Sequence, residues 1–124
     1  MIKLQGIHKY YRTGSQSVHV LRGVDLEIRE GELVSIMGSS GSGKSTMISL
    51  ICAFHTPSKG RVLVDGIDLA AVDLNTFRSQ LGVVLQDSFL FDGTIRENVM
   101  FSRPEATEEQ FLFACRTARV DEFA

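Results

Sequence analysis

Apolar residues along this chain fall into short runs, and their spacing changes from strand-like to helical and back. Ile2, Leu4 and Ile7 predict a first strand, and the polar stretch from Tyr10 to Ser17, which contains Gly14, predicts a loop or hairpin connection. Val24, Leu26 and Ile28 alternate with Asp25, Glu27 and Arg29, so Val20 to Ile28 reads as a second strand. After the turn Glu30-Gly31-Glu32 comes Leu33-Val34-Ser35-Ile36-Met37, a mostly apolar run of the kind found in strands covered on both faces. Beyond Lys44 the pattern is helical through Met47, Ile48, Leu50 and Ile51, until Pro57-Ser58-Lys59-Gly60 breaks it. Arg61 to Val64 predicts a strand, Asp65-Gly66 a turn, and Ile67 to Leu69 a return segment. Leu74 and Phe77 share a face of a short helix, Leu81 to Leu85 reads as a further strand, and Thr94 to Phe101 as a helix. Thr107 and Gln110 make a capping box, opening a helix striped by Phe111, Ala114, Cys115 and Ala118.

Composition narrows the picture only slightly. A length of 124 residues suits one small domain or part of a larger one. A formal net charge of −2 argues against a protein that grips nucleic acid through charge. No apolar run approaches the ~20 residues that span a bilayer, and Met1 to His8 lacks a signal-peptide core. Any membrane association is therefore expected to come through a partner. Cys52 and Cys115 have no metal-ligand spacing and read as reduced, small apolar residues.

The chemistry is concentrated where the strand pattern gives way to the helix. Gly38-Ser39-Ser40-Gly41-Ser42-Gly43-Lys44-Ser45 satisfies G-x-x-x-x-G-K-[ST], and Thr46 follows. Glycines permit positive φ and let backbone N–H groups curl around phosphate oxygens without an obstructing Cβ. The helix that starts near Lys44 aims the positive end of its dipole at the same oxygens. Lys44 is expected to reach the β- and γ-phosphates of a nucleoside triphosphate. The Ser45 hydroxyl is expected to ligate Mg²⁺, and Thr46 to touch the α-phosphate.

GSSGSGKST resembles the Walker A loop of ATP-binding cassette (ABC) ATPases, and the resemblance covers essentially the whole chain. Tyr10-Tyr11, then Val20-Leu21-Arg22-Gly23-Val24 and Gly31-Glu32, resemble the opening of that family. The resemblance implies a tyrosine stacked on adenine, with Tyr11 the first choice and Tyr10 the alternative. Pro57 to Gly66 is similar to the family's hairpin. Leu81 to Asp87 followed by Leu90 to Val99 resembles the Q-loop segment in the form found in exporter cassettes. Gln86 is thereby implied as the residue that senses Mg²⁺ and the attacking water. The implied fold is the N-terminal part of an α/β P-loop NTPase: phosphate-loop strand and helix, an antiparallel β subdomain, and the start of the helical subdomain. Residues 1–86 would form the nucleotide-binding core and β subdomain, and 87–124 the Q-loop and the start of the helical part.

By the same resemblance, Lys44 and Gln86 are the catalytic candidates, Ser45 and Gln86 the metal ligands, and ATP with Mg²⁺ the ligands. Partners would be a transmembrane domain or permease subunit and a second ATP-binding domain in a head-to-tail dimer, with no nucleic acid. The place would be cytoplasmic, at the inner face of the membrane through the partner. Departures matter as well. The sequence contains no LSGGQ and no apolar run ending in Asp-Glu; Val62-Leu63-Val64-Asp65 is followed by Gly66 and suits a hairpin. His8, His19 and His55 lie too early to be the family's switch histidine. The chain is thus expected to stop before the signature, Walker B and switch elements, and Leu33 to Met37 to keep an unpaired apolar edge, an aggregation liability. A non-transport cassette ATPase, a different phosphate-loop enzyme and a catalytically inert nucleotide-binding remnant are the alternative readings.

Overall fold

The structure is a computed structural model that describes residues 1–84 and 89–123. The chain divides into two compact units, Met1–Gly82 and Val83–Ala124. In the first, β1 (Ile2–Thr13) and β2 (Gln16–Ile28) form a long antiparallel hairpin. Both strands extend well into the stretch expected to be a loop, because Gly14, at φ 62°, turns the chain in two residues and lets Thr13 pair with Gln16. On its other side β1 pairs with β3 (Lys59–Val64), and β3 with β4 (Ile67–Asp68), giving the order β2-β1-β3-β4, antiparallel throughout. Asp65 and Gly66 both take positive φ, 51° and 81°, as the tight β3–β4 turn requires. Asp65 thus belongs to a hairpin turn.

Helix α1 (Lys44–Ile51) packs on this sheet. Its eight residues are too few to hold a helix in water, where ~12–15 are marginal. Docking supplies the rest: Leu50 and Ile51 join Leu4, Ile7, Leu21 and Val62 in one core, with Leu4, Ile7 and Leu50 essentially inaccessible. Burying a side chain of that size is worth about 2 kcal/mol, more than helix propensity offers over such a length. A short helix, α2 (Leu74–Arg78), starts at Asp73, whose carboxylate accepts from the Thr76 N–H and hydroxyl. Leu74 and Phe77 pack against the core.

Two expected strands are not formed among the described residues. Leu33 to Met37 has no ladder partner among the described residues, and Leu33 and Met37 are 102% and 88% exposed. A run suited to burial on both faces becomes a strand only when lateral neighbours take up its N–H and C=O groups. None of the four described strands lies beside it. Residues 81–84 likewise carry no strand, and Leu85 lies outside the described residues.

In the second unit α3 (Ile95–Met100) and α4 (Glu108–Thr117) each begin with a reciprocal capping box, Thr94 with Glu97 and Thr107 with Gln110. The Arg96 guanidinium joins them, donating to both Glu108 carboxylate oxygens at 2.6 Å while lying 4.3 Å over the Phe111 ring. Asn98 closes the preceding loop, accepting from the Phe91 N–H and donating to the Phe91 and Thr94 carbonyls. The Glu97 carboxyl is held below the usual glutamate range by the Thr94 N–H and then its hydroxyl. A lowered value means the cap stabilises the folded unit above the ordinary range near 4.5 and is lost as pH falls through the folded value. In an NMR titration, the Glu97 side-chain carbon and the Thr94 amide should therefore move together, at a midpoint below that of an unstructured glutamate. Independent midpoints, or one at the ordinary value, contradict this.

Candidate functional site

Residues 38–43 wrap back on themselves ahead of α1. Ser42 N–H donates to the Ser39 carbonyl at 3.2 Å, and Gly41 and Gly43, at φ 80° and 90°, flank Ser42. At Gly38 a Cβ would come within 2.7 Å of Ser42 Oγ, so a side chain there would fill the cradle. At Gly43 a Cβ would meet Leu21 Cδ2 at 2.8 Å, which is how closely the loop seats on β2. Lys44 crosses the loop: its Nζ donates to the carbonyls of Gly38 (2.6 Å) and Ser39 (2.7 Å) and to Ser42 Oγ (3.3 Å). The ammonium is therefore held over the loop by all three of its donors.

The start of α1 differs from that of every other α-helix described. Asp73, Thr94 and Thr107 cap α2, α3 and α4 with side-chain oxygens. Helix α1 starts at Gly43, without a side-chain cap and without an acidic residue in its first turn. Its first helical bond is Met47 N–H to the Gly43 carbonyl. The amides of Lys44, Ser45 and Thr46 precede that bond and have no intrahelical acceptor, at the positive end of the helix dipole. Ser39, Ser40 and Ser45 are exposed there and Thr46 is half-buried.

Tyr11 is half-buried on β1, with Lys9 Nζ 5.3 Å from its ring centre and His55 against its edge. It pairs across the hairpin with Val18, two residues, or about 7 Å, from Val20, which adjoins Gly43. Tyr10 stacks on His19 at 4.0 Å, and His19 Nε2 lies 3.0 Å from His8 Nδ1. Desolvation, His8 and Arg22 together draw His19 below the usual imidazole range. This histidine pair was not visible in the sequence, because a shift in register between Lys9 and Tyr10 brings the rings together. Gln86 lies outside the described residues. The structure thus gathers Gly38, Ser39, Ser42, Gly43 and Lys44 around one loop and leaves Tyr11 on the adjoining hairpin.

A glycine-rich loop feeding an uncapped helix, beside an antiparallel subdomain, defines a P-loop NTPase of the cassette type. A sequence profile described as ABC transporter matches residues 21–124, and the chain belongs to that family. It is 44% identical over 104 residues to a fatty acid ABC transporter ATP-binding/permease protein of Mycobacterium bovis, covering 84% of this chain and 16% of that protein. It is 44% identical over 119 residues to an ATP-dependent lipid A-core flippase of Neisseria meningitidis serogroup B, covering 96% and 19%. The chain therefore spans less than a fifth of the length of these two relatives. Among solved structures, a dimeric ATP-binding cassette bound to ADP and Pi superposes with a TM-score of 0.83 at 36% identity, over 100% of this chain and 58% of that one. A bacterial Atm1-family ABC exporter with ATP bound gives 0.86 at 34%, over 98% and 21%. Among the described residues no helix is long and apolar enough to cross a membrane.

Proposed function

We propose that residues 38–46 hold the triphosphate of ATP and that the chain is the ATP-binding portion of an ABC exporter. The observation that carries this reading is the bare start of α1. Three amides without intrahelical acceptors, an ammonium over the adjoining loop and a first turn free of carboxylates favour an anion of several oxygens. The absent side chain at Gly38 keeps the cradle open, and Gly41 and Gly43 supply the left-handed backbone that curls it, so the residues present fit a polyphosphate. Lys44 would shift at least one donor from the loop to the β- or γ-phosphate, the long bond to Ser42 Oγ being the weakest it holds. Ser39, Ser40, Gly41 and Gly43 supply backbone amides, Ser42, whose own amide bonds to the Ser39 carbonyl, closes the cradle, Ser45 supplies the hydroxyl for Mg²⁺, and Thr46 a hydroxyl for the α-phosphate. Mg²⁺ would neutralise phosphate charge when bound. Tyr11 is assigned to the adenine and Gln86 to the metal and water.

Residues 1–86 then act as the nucleotide-binding core, and 87–124 as the Q-loop and the start of the helical part. The partners are a transmembrane domain and a second cassette, placing the chain on the cytoplasmic side of the membrane. The relatives named as ATP-binding/permease proteins and the dimeric cassette among the solved structures support this.

Hydrolysis also requires a carboxylate that orients water and a surface that closes over the nucleotide. The 124 residues contain neither LSGGQ nor an apolar run ending in Asp-Glu. The chain by itself is expected to bind ATP saturably in equilibrium dialysis and to release no phosphate above background. Absence of saturable binding overturns the phosphate-site reading. Steady-state turnover abolished by Lys44→Ala overturns the claim of inactivity.

A further inference from the structure

Helix α1 is anchored at the end opposite the loop by one charged side chain that the phosphate chemistry does not use. Past Cys52 the chain reverses at Ala53, at φ 57°, and the Phe54 and His55 amides return to the Ser49 carbonyl. This leaves the Ala53 carbonyl as an acceptor at the negative end of the helix. Arg78, the last residue of α2, donates to it through Nη2. The contact is not that of a surface arginine brushing a helix. Arg78 Nε is sealed from solvent and meets no acceptor among the described residues, so the guanidinium is inserted rather than laid across. Its own position is fixed by the Asp73 cap of α2 and by Leu74 and Phe77, which pack against the core.

We infer that Arg78 is a positioning residue for the phosphate loop, acting through α1 as an axial stop. This rests on the nucleotide reading given above. The Leu50 and Ile51 contacts hold α1 to the sheet, but apolar contact is non-directional and tolerates sliding. A guanidinium–carbonyl bond is directional and charge-assisted, and a cation at the helix's carboxyl end is itself favourable. Over eight residues, about 12 Å, the helix transmits a shift at Ala53 to the amides after Gly43 almost unchanged. An anion site needs those donors placed to within about 0.5 Å.

The test measures binding of a fluorescent N-methylanthraniloyl-ATP and amide hydrogen exchange of the ligand-free chain, for wild type, Arg78→Met and Arg78→Lys. Exchange is read at 52–54 and, at the loop end, at Ser42 and Met47, whose amides bond to the Ser39 and Gly43 carbonyls. Arg78→Met should weaken binding about tenfold and speed exchange at Ser42 and Met47 as well as at 52–54. Arg78→Lys, a point charge without the planar fork, should fall between it and wild type. A lowered melting temperature with unchanged affinity, and faster exchange confined to 52–54, would show a merely structural residue and overturn the inference. If Arg78→Met does not fold, Arg78→Lys decides alone: weaker binding with faster exchange at Ser42 and Met47 supports it, and wild-type values in both overturn it. If wild type fails to bind the probe, the nucleotide reading fails separately, and exchange at Ser42 and Met47 still decides whether Arg78 orders the loop.

Discussion

Replacing Lys44 with alanine should weaken ATP binding about a hundredfold or more while changing the stability of the chain by less than about 1 kcal/mol. The two effects separate because of where the ammonium sits. Its partners are the Gly38 and Ser39 carbonyls and the Ser42 hydroxyl, on residues exposed to solvent, so water replaces the lost bonds. A bound triphosphate would have no such replacement, since the loop offers its charge one cationic side chain beside a set of neutral amides. Isothermal titration with ATP, paired with a thermal melt of each variant, checks the prediction. An affinity within about threefold of wild type removes Lys44 from the site. A melting temperature that falls in step with the affinity would mean that the side chain serves the fold instead.

Gly60→Ala should show the opposite profile, with a loss of stability of about 3 kcal/mol or more read from urea denaturation. Gly60 lies in β3 at φ 84°, and a Cβ there would overlap the backbone carbonyl oxygens of Gln5 and Gly6. These oxygens belong to β1, where the β1–β3 register shifts between Gln5 and His8, so the clash cannot be relieved by turning a side chain. Gly31→Ala is the control: the backbone conformation is also left-handed, at φ 77°, but nothing lies within 4 Å of the added carbon. It should cost about 1 kcal/mol. Equal losses at the two sites would show that backbone conformation alone matters and that the contact with β1 is soft.

What could be read from the residues was what depends on neighbours in sequence. The loop motif, the Asp65-Gly66 turn and the Thr107–Gln110 box are local patterns, and each takes the expected form. The Thr94–Glu97 box has the same four-residue spacing and was available to the same reasoning. The uncapped start of α1 is likewise implicit in Gly43 preceding a first turn without acidic residues. Long-range pairings were hidden. The strand expected at Leu33 to Met37 depends on a neighbour that its own composition cannot supply. The His8–His19 contact arises from irregular register, and the Arg78–Ala53 bond joins residues 25 positions apart through packing.

The bare segment from Leu33 to Met37 has a bearing on how far a sequence motif determines a binding geometry. Arg29 and Glu32 bond to each other at one end of this span, Lys44 ties down the other, and among the described residues no strand runs alongside between them. The cradle therefore leans on β2, where Gly43 meets Leu21, with no ladder along the span that leads into it among the described residues. Were a strand to pair along that span, its ladder would fix the backbone up to Gly38, so the proposed grip on phosphate would owe its accuracy to lateral pairing as much as to the nine residues that name it.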